Sequence, residues 1–145
     1  MGGGGNDIHF GIYRDETDGV RESANRTTEW MMQQLDMAKE ITKDMHVLDV
    51  GSGHGGGSHA MAKKFGCKVT GINIGPGQNA MNLAKAKELG LEDKVDAVVG
   101  NINEPLPEEW TNKFDAIWSC EVLCHAGDKL ALFKDLYRCL KPGGA

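Results

Sequence analysis

The sequence contains no run of basic residues. Its 145 residues include 16 Lys and Arg against 21 Asp and Glu, which gives a formal net charge of −5. Nucleic acids and anionic membrane surfaces are bound mainly through their phosphates, so a protein that binds them needs a positively charged stripe or patch. Apolar runs are also far shorter than the ~20 residues of a membrane-spanning helix. We therefore expect neither a nucleic-acid nor a membrane partner.

Paired cysteines are missing as well. The four cysteines (Cys67, Cys120, Cys124 and Cys139) form no CxxC motif. This scatter is typical of reduced thiols and favours a cytoplasmic protein. Cys120, Cys124 and His125 stand close in sequence, but a zinc site needs a fourth ligand and none follows at a usual spacing. We predict no metal site.

Glycine, by contrast, is abundant, and five of the 20 glycines stand in the stretch VLDVGSGHGGG over residues 47–57. The apolar residues that open this stretch predict a buried central strand, and the following SHAMAKKF over residues 58–65 has the composition of a helix. A glycine turn lets the backbone bend sharply and lets a ligand approach closely. The helix start adds unpaired N–H groups. A strand, glycine turn and helix in this order predict a nucleotide site.

The rest of the chain predicts alternating strands and helices. Strands are expected over residues 45–50, 68–72, 95–99 and 114–119, and helices over residues 21–42, 58–65, 78–89 and 128–140. This alternation predicts an α/β fold with a Rossmann-like, doubly wound parallel sheet and right-handed crossovers. We expect the strand order 3-2-1-4, with the ligand crevice at the carboxyl ends of the first and fourth strands.

Two residues distinguish between the nucleotides that such a turn binds. Gly51, Gly53 and Gly56 satisfy the dinucleotide pattern GxGxxG, a weak signal when it stands alone. Asp49 precedes them, and its carboxylate suits a ligand with an ammonium group better than a pyrophosphate, which it would repel. Asn73 ends the second strand where a dinucleotide site usually has Asp or Glu, although an amide still bonds ribose hydroxyls. The pattern favours S-adenosylmethionine over NAD(P).

The sequence also resembles a known family. VLDVGSGHGG resembles motif I of the class I S-adenosylmethionine-dependent methyltransferases, and LKPGG over residues 140–144 resembles the turn before their fifth strand. IHFGIY near the start, PGQN after the second strand and IWSCEVLCHAGDK after the fourth resemble the small-molecule branch that contains sarcosine/dimethylglycine N-methyltransferases. Sterol C-methyltransferases share the Asn that ends the second strand.

The resemblance implies roles for particular residues. Ile74 would cover the adenine, Asn101 would accept a bond from its amino group, and Ser119 would offer its carbonyl to the methionine ammonium group. The full cofactor set is Asp49, Gly51, Ser52, Gly53, Asn73, Ile74, Gln78, Asn101, Ile102 and Ser119. Glu121 and His125 are the catalytic candidates. Either can position a polar or cationic acceptor and His125 can accept a proton, or they are a solvated carboxylate and a backbone-bonded histidine.

The implied reaction is methyl transfer from S-adenosylmethionine to a small molecule. We expect the acceptor to be an amine such as sarcosine or dimethylglycine. A non-catalytic S-adenosylmethionine-binding fragment of a larger methyltransferase and an NAD(P)-binding oxidoreductase domain are the alternatives. We expect residues 1–20 to form a flexible segment and residues 21–145 the cofactor-binding domain. The chain ends where the family's fifth strand would begin. This predicts a C-terminally incomplete domain and self-association through the open edge of the fourth strand.

Overall fold

The computed structural model describes residues 9–145, and its centre is a four-stranded parallel sheet. The strands are β1 (His46–Val50), β2 (Lys68–Asn73), β3 (Val95–Val99) and β4 (Ala116–Ser119), in the order β3-β2-β1-β4. The predicted fold class and strand order are confirmed. The predicted start of β4 was wrong by two residues, because Phe114 bridges to Leu140 instead of joining the strand.

Within the described residues, four α-helices accompany the sheet: α1 (Val20–Ala38), α2 (Gly56–Phe65), α3 (Pro76–Glu88) and α4 (Lys129–Cys139). The expected extension of α1 to residue 42 was wrong. The helix stops at Ala38, and the Asp36 side chain accepts a hydrogen bond from the N–H of Ile41 (2.9 Å), which draws that backbone out of the helix. Helix α3 begins two residues before the predicted start, because Pro76 suits the first helical turn.

The core has two parts, one on each face of the sheet. Alternate residues of β1 point to opposite faces, so Val47 lies in the cluster that contains Met61 of α2, and Leu48 in the cluster that contains Leu136 of α4. Val47 and Leu48 are both fully buried. By the same alternation, Asp49 shares the face of Val47 and lies towards α2. The packing of β1 therefore places the Asp49 carboxylate on the face of the sheet that lies towards α2, near the carboxyl end of the strand.

Coil residues before α1 lie along that helix. The first eight residues of the predicted flexible segment are outside the described part of the chain, so their part of the expectation stays a prediction. Within the described part, the N–H of Ile12 donates to the carbonyl of Ser23 (3.0 Å). None of the helices between residues 9 and 145 combines the length and apolar character that crossing a bilayer requires.

The outer edge of β4 meets the last residue of the chain. Ala145 donates its N–H to the carbonyl of Asp115 (3.2 Å) and accepts from the N–H of Ile117 (2.7 Å). This is the bonding pattern of a parallel neighbour. Self-association through the remaining edge of β4 stays a prediction.

Candidate functional site

A cavity of about 430 Å³ opens at the carboxyl ends of the strands. Its volume falls in the range of about 300–1,000 Å³ that is usual for small-molecule sites. Residues at the ends of the strands and in the loops that follow them supply most of its walls. The lining residues are His9, Asp49, Gly51, Ser52, Gly53, Gly56, Gly57, Ile72, Asn73, Ile74, Gly100, Asn101, Ile102, Asn103, Trp118, Cys120, Glu121, Val122 and His125.

The glycine turn forms the floor of this cavity. Gly51, Gly53 and Gly55 have φ angles of 77°, 52° and 85°, a left-handed conformation that residues with a Cβ adopt only at a cost. A Cβ on Gly51 would lie 2.2 Å from a methyl group of Val122. The N–H of Gly51 donates to the carbonyl of Ile72 (2.8 Å), which ties the turn to β2. The turn therefore presents bare backbone to a ligand.

Asp49 places a negative charge beside the turn. Its side chain is only 3% exposed, and one carboxylate oxygen accepts a hydrogen bond from the Ser58 hydroxyl of α2 (2.6 Å). A buried carboxylate is stabilised by a cation or by hydrogen-bond donors. The same charge repels a phosphate group. The electrostatics at the end of β1 therefore favour a ligand whose inner end carries an ammonium group.

The end of β2 carries an ordered amide. The Nδ2 of Asn73 donates to the Oε1 of Gln78 (2.9 Å), and Asn73 lines the cavity whereas Gln78 does not. Gln78, a candidate direct contact, accepts this bond from Asn73 and is not among the lining residues; its contact with a ligand stays a prediction. The Asn73 oxygen can accept a bond from a ribose hydroxyl. Ile74 lines the same wall and is 66% exposed, so it offers an apolar surface for a planar ring.

Residues of the loop after β3 also line the cavity. The side-chain oxygen of Asn101 accepts from the backbone N–H of Asn103 (3.0 Å) and from its Nδ2 (3.4 Å), so both lone pairs already have donors. The Asn103 oxygen in turn accepts from the N–H of Gly127 (2.7 Å). The loop after β3 is thereby joined to the loop after β4. For Asn101 to contact the adenine as predicted, its side-chain oxygen must give up one of these two hydrogen bonds.

The loop after β4 brings Glu121 and His125 to the same cavity. Both side chains are exposed at its mouth, and His125 ends a 3₁₀ helix over Leu123–His125. Ser119 is not among the lining residues; its hydroxyl donates to the carbonyl of Val50 (3.2 Å) and so joins β4 to β1. The catalytic candidates thus meet at one place, beyond the end of β4.

Ten of the twelve predicted site residues line the cavity, and Gln78 and Ser119 do not. That they bind a ligand stays a prediction. The sequence reasoning omitted Asn103, whose spacing from Asn101 is a signal for a turn closed by side-chain hydrogen bonds. It also omitted Val122, which no sequence signal marks because its contact with the glycine turn depends on tertiary structure. Among residues 9–145, no three His, Cys, Asp or Glu side chains lie close enough to hold a metal ion.

Known proteins share both the sequence and the fold of this site. Residues 48–145, which include the glycine turn and the loops after β3 and β4, match the methyltransferase domain family. The chain belongs to this methyltransferase family. The cofactor of the family is S-adenosylmethionine, which confirms that expectation at the level of the family.

Among its methyltransferase relatives, the glycine/sarcosine/dimethylglycine N-methyltransferase of Actinopolyspora halophila is 33% identical over 142 residues, which are 98% of this chain and 24% of that protein. The sarcosine/dimethylglycine N-methyltransferase of Halorhodospira halochloris is 32% identical, over 97% of this chain and 49% of that protein. The chain therefore spans half or less of these relatives' length.

A solved methyltransferase structure shows the same fold. It comes from Galdieria sulphuraria and is provisionally named a sarcosine dimethylglycine methyltransferase. It superposes with a TM-score of 0.88 at 35% identity, over 94% of this chain and 50% of that one.

Proposed function

We propose that this chain binds S-adenosylmethionine in the cavity above β1 and transfers its methyl group to a small amine such as sarcosine or dimethylglycine. Family membership supports the cofactor, and the names of relatives at about one-third identity support the acceptor. The observation that carries the proposal is the buried Asp49 carboxylate beside the positive-φ glycines. That combination suits an amino-acid tail with an ammonium group.

The residues present fit this cofactor. Asp49 would hold the ammonium group, and the backbone of Gly51 and Gly53 would lie against the methionine and ribose parts. The oxygen of Asn73, held in place by Gln78, would accept from a ribose hydroxyl. Ile74 would cover the adenine. A Cβ on Gly51 would collide with Val122, so the cavity floor depends on the absence of side chains there.

The acceptor would lie at the mouth, beside Glu121 and His125. When bound, S-adenosylmethionine supplies an electrophilic methyl group on a sulfonium that is already a good leaving group. The chain's own work is then to orient the acceptor and exclude water, and orientation alone can supply about 7–11 kcal/mol. An amine that arrives with its lone pair available needs no base. One that arrives protonated can give its proton to the His125 imidazole.

The cofactor is tested by calorimetric titration with S-adenosylmethionine, S-adenosylhomocysteine and NAD. We expect the first two to bind and NAD to bind at least about tenfold more weakly, because its pyrophosphate meets the Asp49 charge. Asp49→Asn should weaken S-adenosylhomocysteine by about 10- to 100-fold, since it removes a charge-assisted bond. The matched control is Asp96→Asn, an exposed position on β3 whose oxygen bonds only its neighbour's N–H in the described chain.

Unchanged affinity in Asp49→Asn, or NAD binding as tight as S-adenosylhomocysteine, would contradict the cofactor assignment. The acceptor needs a separate experiment, in which methylated products are detected with sarcosine and with dimethylglycine. If the chain bound the cofactor but methylated no amine, the proposed catalytic activity would be wrong and the chain would be a cofactor-binding domain. Transfer to a hydroxyl or carbon acceptor would remove the amine assignment alone.

A further inference from the structure

A short segment before α1 crosses the mouth of the cavity. We define residues 9–12 as the N-terminal strap. On one side it is fixed to α1: the hydroxyl of Thr27 donates to the carbonyl of Phe10 (3.0 Å), and His9 Nε2 lies 3.0 Å from the hydroxyl of Thr28. His9 also lines the cavity. The strap therefore forms part of the cavity's wall while it is held by α1.

Gly11 allows the strap to approach α1 this closely. A Cβ built on Gly11 would lie 2.1 Å from the hydroxyl oxygen of Ser23 and 2.6 Å from its backbone carbonyl carbon. The second of these atoms cannot move without moving the helix. Any side chain at position 11 must therefore push the strap away from α1.

On the other side the strap meets Glu121. The N–H of Phe10 donates to the Oε2 of Glu121 (3.2 Å), a contact between residues 111 positions apart. The Phe10 side chain is 84% exposed, so no apolar contact of that ring fastens the strap here. This hydrogen bond joins the strap to the loop after β4.

Glu121, which accepts this hydrogen bond, has a positive backbone φ angle. Its φ is 55°, and Asn112 is the one other non-glycine residue between positions 9 and 145 with a positive φ. A side chain with a Cβ is disfavoured in this region, and such strain concentrates where a structure needs a particular side-chain direction. Here that direction brings the carboxylate to the strap.

We propose that Glu121 is a positioning residue that fastens the N-terminal strap across the mouth of the cavity, and that this closure controls cofactor release and water entry. The carboxylate acts as a hydrogen-bond acceptor for the Phe10 N–H and not as a base. Its effect on methyl transfer is exerted through the strap and therefore through His9, which the strap places at the cavity. In this last respect the inference rests on the proposed function.

Hydrogen exchange of the Phe10 amide tests the fastening directly. In the ligand-free protein we expect Glu121→Ala to speed this exchange by about tenfold, because a bond to a charged acceptor is lost. Glu121→Gln keeps an acceptor oxygen at the same reach, so it should stay within about threefold of the wild type. Gly11→Ala should speed exchange as much as Glu121→Ala, although the carboxylate is intact. Glu109→Ala, at an exposed position in a 3₁₀ helix, is the control.

Ligand kinetics test the consequence. Glu121→Ala and Gly11→Ala should each release S-adenosylhomocysteine about tenfold faster than the wild type, whereas Glu121→Gln should not, since loss of closure acts mainly on the dissociation rate. With an amine acceptor, the kcat of Glu121→Gln separates a positioning role from a role as base, because a lost general base typically costs 10²–10⁴-fold.

Unchanged Phe10 exchange in Glu121→Ala would overturn the proposal. So would a Glu121→Gln variant that loses methyl transfer while Phe10 stays protected, since the carboxylate would then act as a charge or base. The exchange experiment needs no ligand, so it gives a result even if the chain proves unable to transfer a methyl group. Circular dichroism of each variant shows whether the fold has been kept.

Discussion

At the scale of single residues, the glycine turn is the feature most directly visible in the sequence. Its spacing showed where a ligand could meet bare backbone, and Asp49 showed which charge that ligand would need. Gln78 shows where such reasoning stops. An amide at a helix start has the same sequence signature whether it touches a ligand or a neighbouring side chain. In the structure, Gln78 Oε1 accepts a hydrogen bond from Asn73 Nδ2 (2.9 Å), and Gln78 is not among the residues that line the cavity.

The first prediction concerns Gly51. Gly51→Ala puts a Cβ on a backbone with φ 77° and 2.2 Å from Val122, so both strain and a clash oppose it. We expect a loss of about 1–3 kcal/mol in the free energy of unfolding and at least about a tenfold loss of S-adenosylhomocysteine affinity. Urea denaturation and calorimetry measure the two effects.

Gly77→Ala is the matched control for this change. Gly77 lies in α3 with no atom within 4 Å of a built Cβ, so alanine should stabilise the protein by about 0.5–1 kcal/mol. If Gly51→Ala bound the cofactor with unchanged affinity, the floor of the cavity would have been assigned to the wrong backbone.

At the scale of elements, the sequence pattern located the four strands and four α-helices of residues 9–145 but not the two 3₁₀ helices, and the ends of the elements depended on single side chains. The apolar stripe of α1 continues to Ile41, yet the helix ends at Ala38 because Asp36 binds the Ile41 N–H. Phe114 has the composition of a strand residue but bridges to Leu140. Such local hydrogen bonds have no periodic signal, so the sequence could not reveal them.

The second prediction concerns the N-terminal end of helix α4. Its N-cap, Asp128, accepts a hydrogen bond from the N–H of Ala131 (3.0 Å). Asp128→Ala should lower the free energy of unfolding by about 1 kcal/mol, and Asp128→Ser should restore most of it, because serine caps helices about as well. Glu92→Ala, at an exposed loop position, should stay within about 0.5 kcal/mol of the wild type in the same urea titration. Equal midpoints for Asp128→Ala and the wild type would show that the cap is dispensable.

The start of β1 predicts a dependence of stability on pH. Burial, followed by the nearby charges of Lys113, Lys68 and Lys141, lowers the pKa of His46 below its ordinary value of 6.5. The unfolded chain therefore binds more protons than the folded one between the two pKa values. This contribution to stability is full above about pH 6.5 and is lost as the pH falls towards the folded pKa.

The free energies of unfolding at pH 7 and pH 5 test this effect. His46→Gln, which cannot gain a proton, should lose less stability across this interval than the wild type does. His54→Gln, at a half-buried position in the glycine turn, is the comparison. If the free energy of unfolding fell as much between pH 7 and pH 5 in His46→Gln as in the wild type, groups other than His46 would cause the acid sensitivity.

At the scale of the whole molecule, alternation of strands and helices was enough to predict the sheet order, because right-handed crossovers leave few other topologies. The predicted site residues came mainly from the ends of strands, where parallel strands bring distant parts of the chain together. The contact between Phe10 and Glu121 spans 111 positions and could not be inferred in this way. It depends on how closely Gly11 lets a coil segment approach α1, which is a property of packing.

The last prediction follows from how the cavity is built into the sheet. Its floor is bonded to β2 through Gly51 and Ile72, and Asp49 is bonded to α2 through Ser58, so a ligand that fills it is coupled to the core on one face. S-adenosylhomocysteine at 100 times its dissociation constant should therefore stabilise the whole domain by about 2.7 kcal/mol. For a chain of this size that corresponds to a rise in Tm of roughly 6–11 °C in a thermal shift measurement. NAD at the same concentration should raise Tm far less, and Asp49→Asn should lose most of the S-adenosylhomocysteine effect. An equal rise with NAD would mean that the Asp49 charge does not select the ligand.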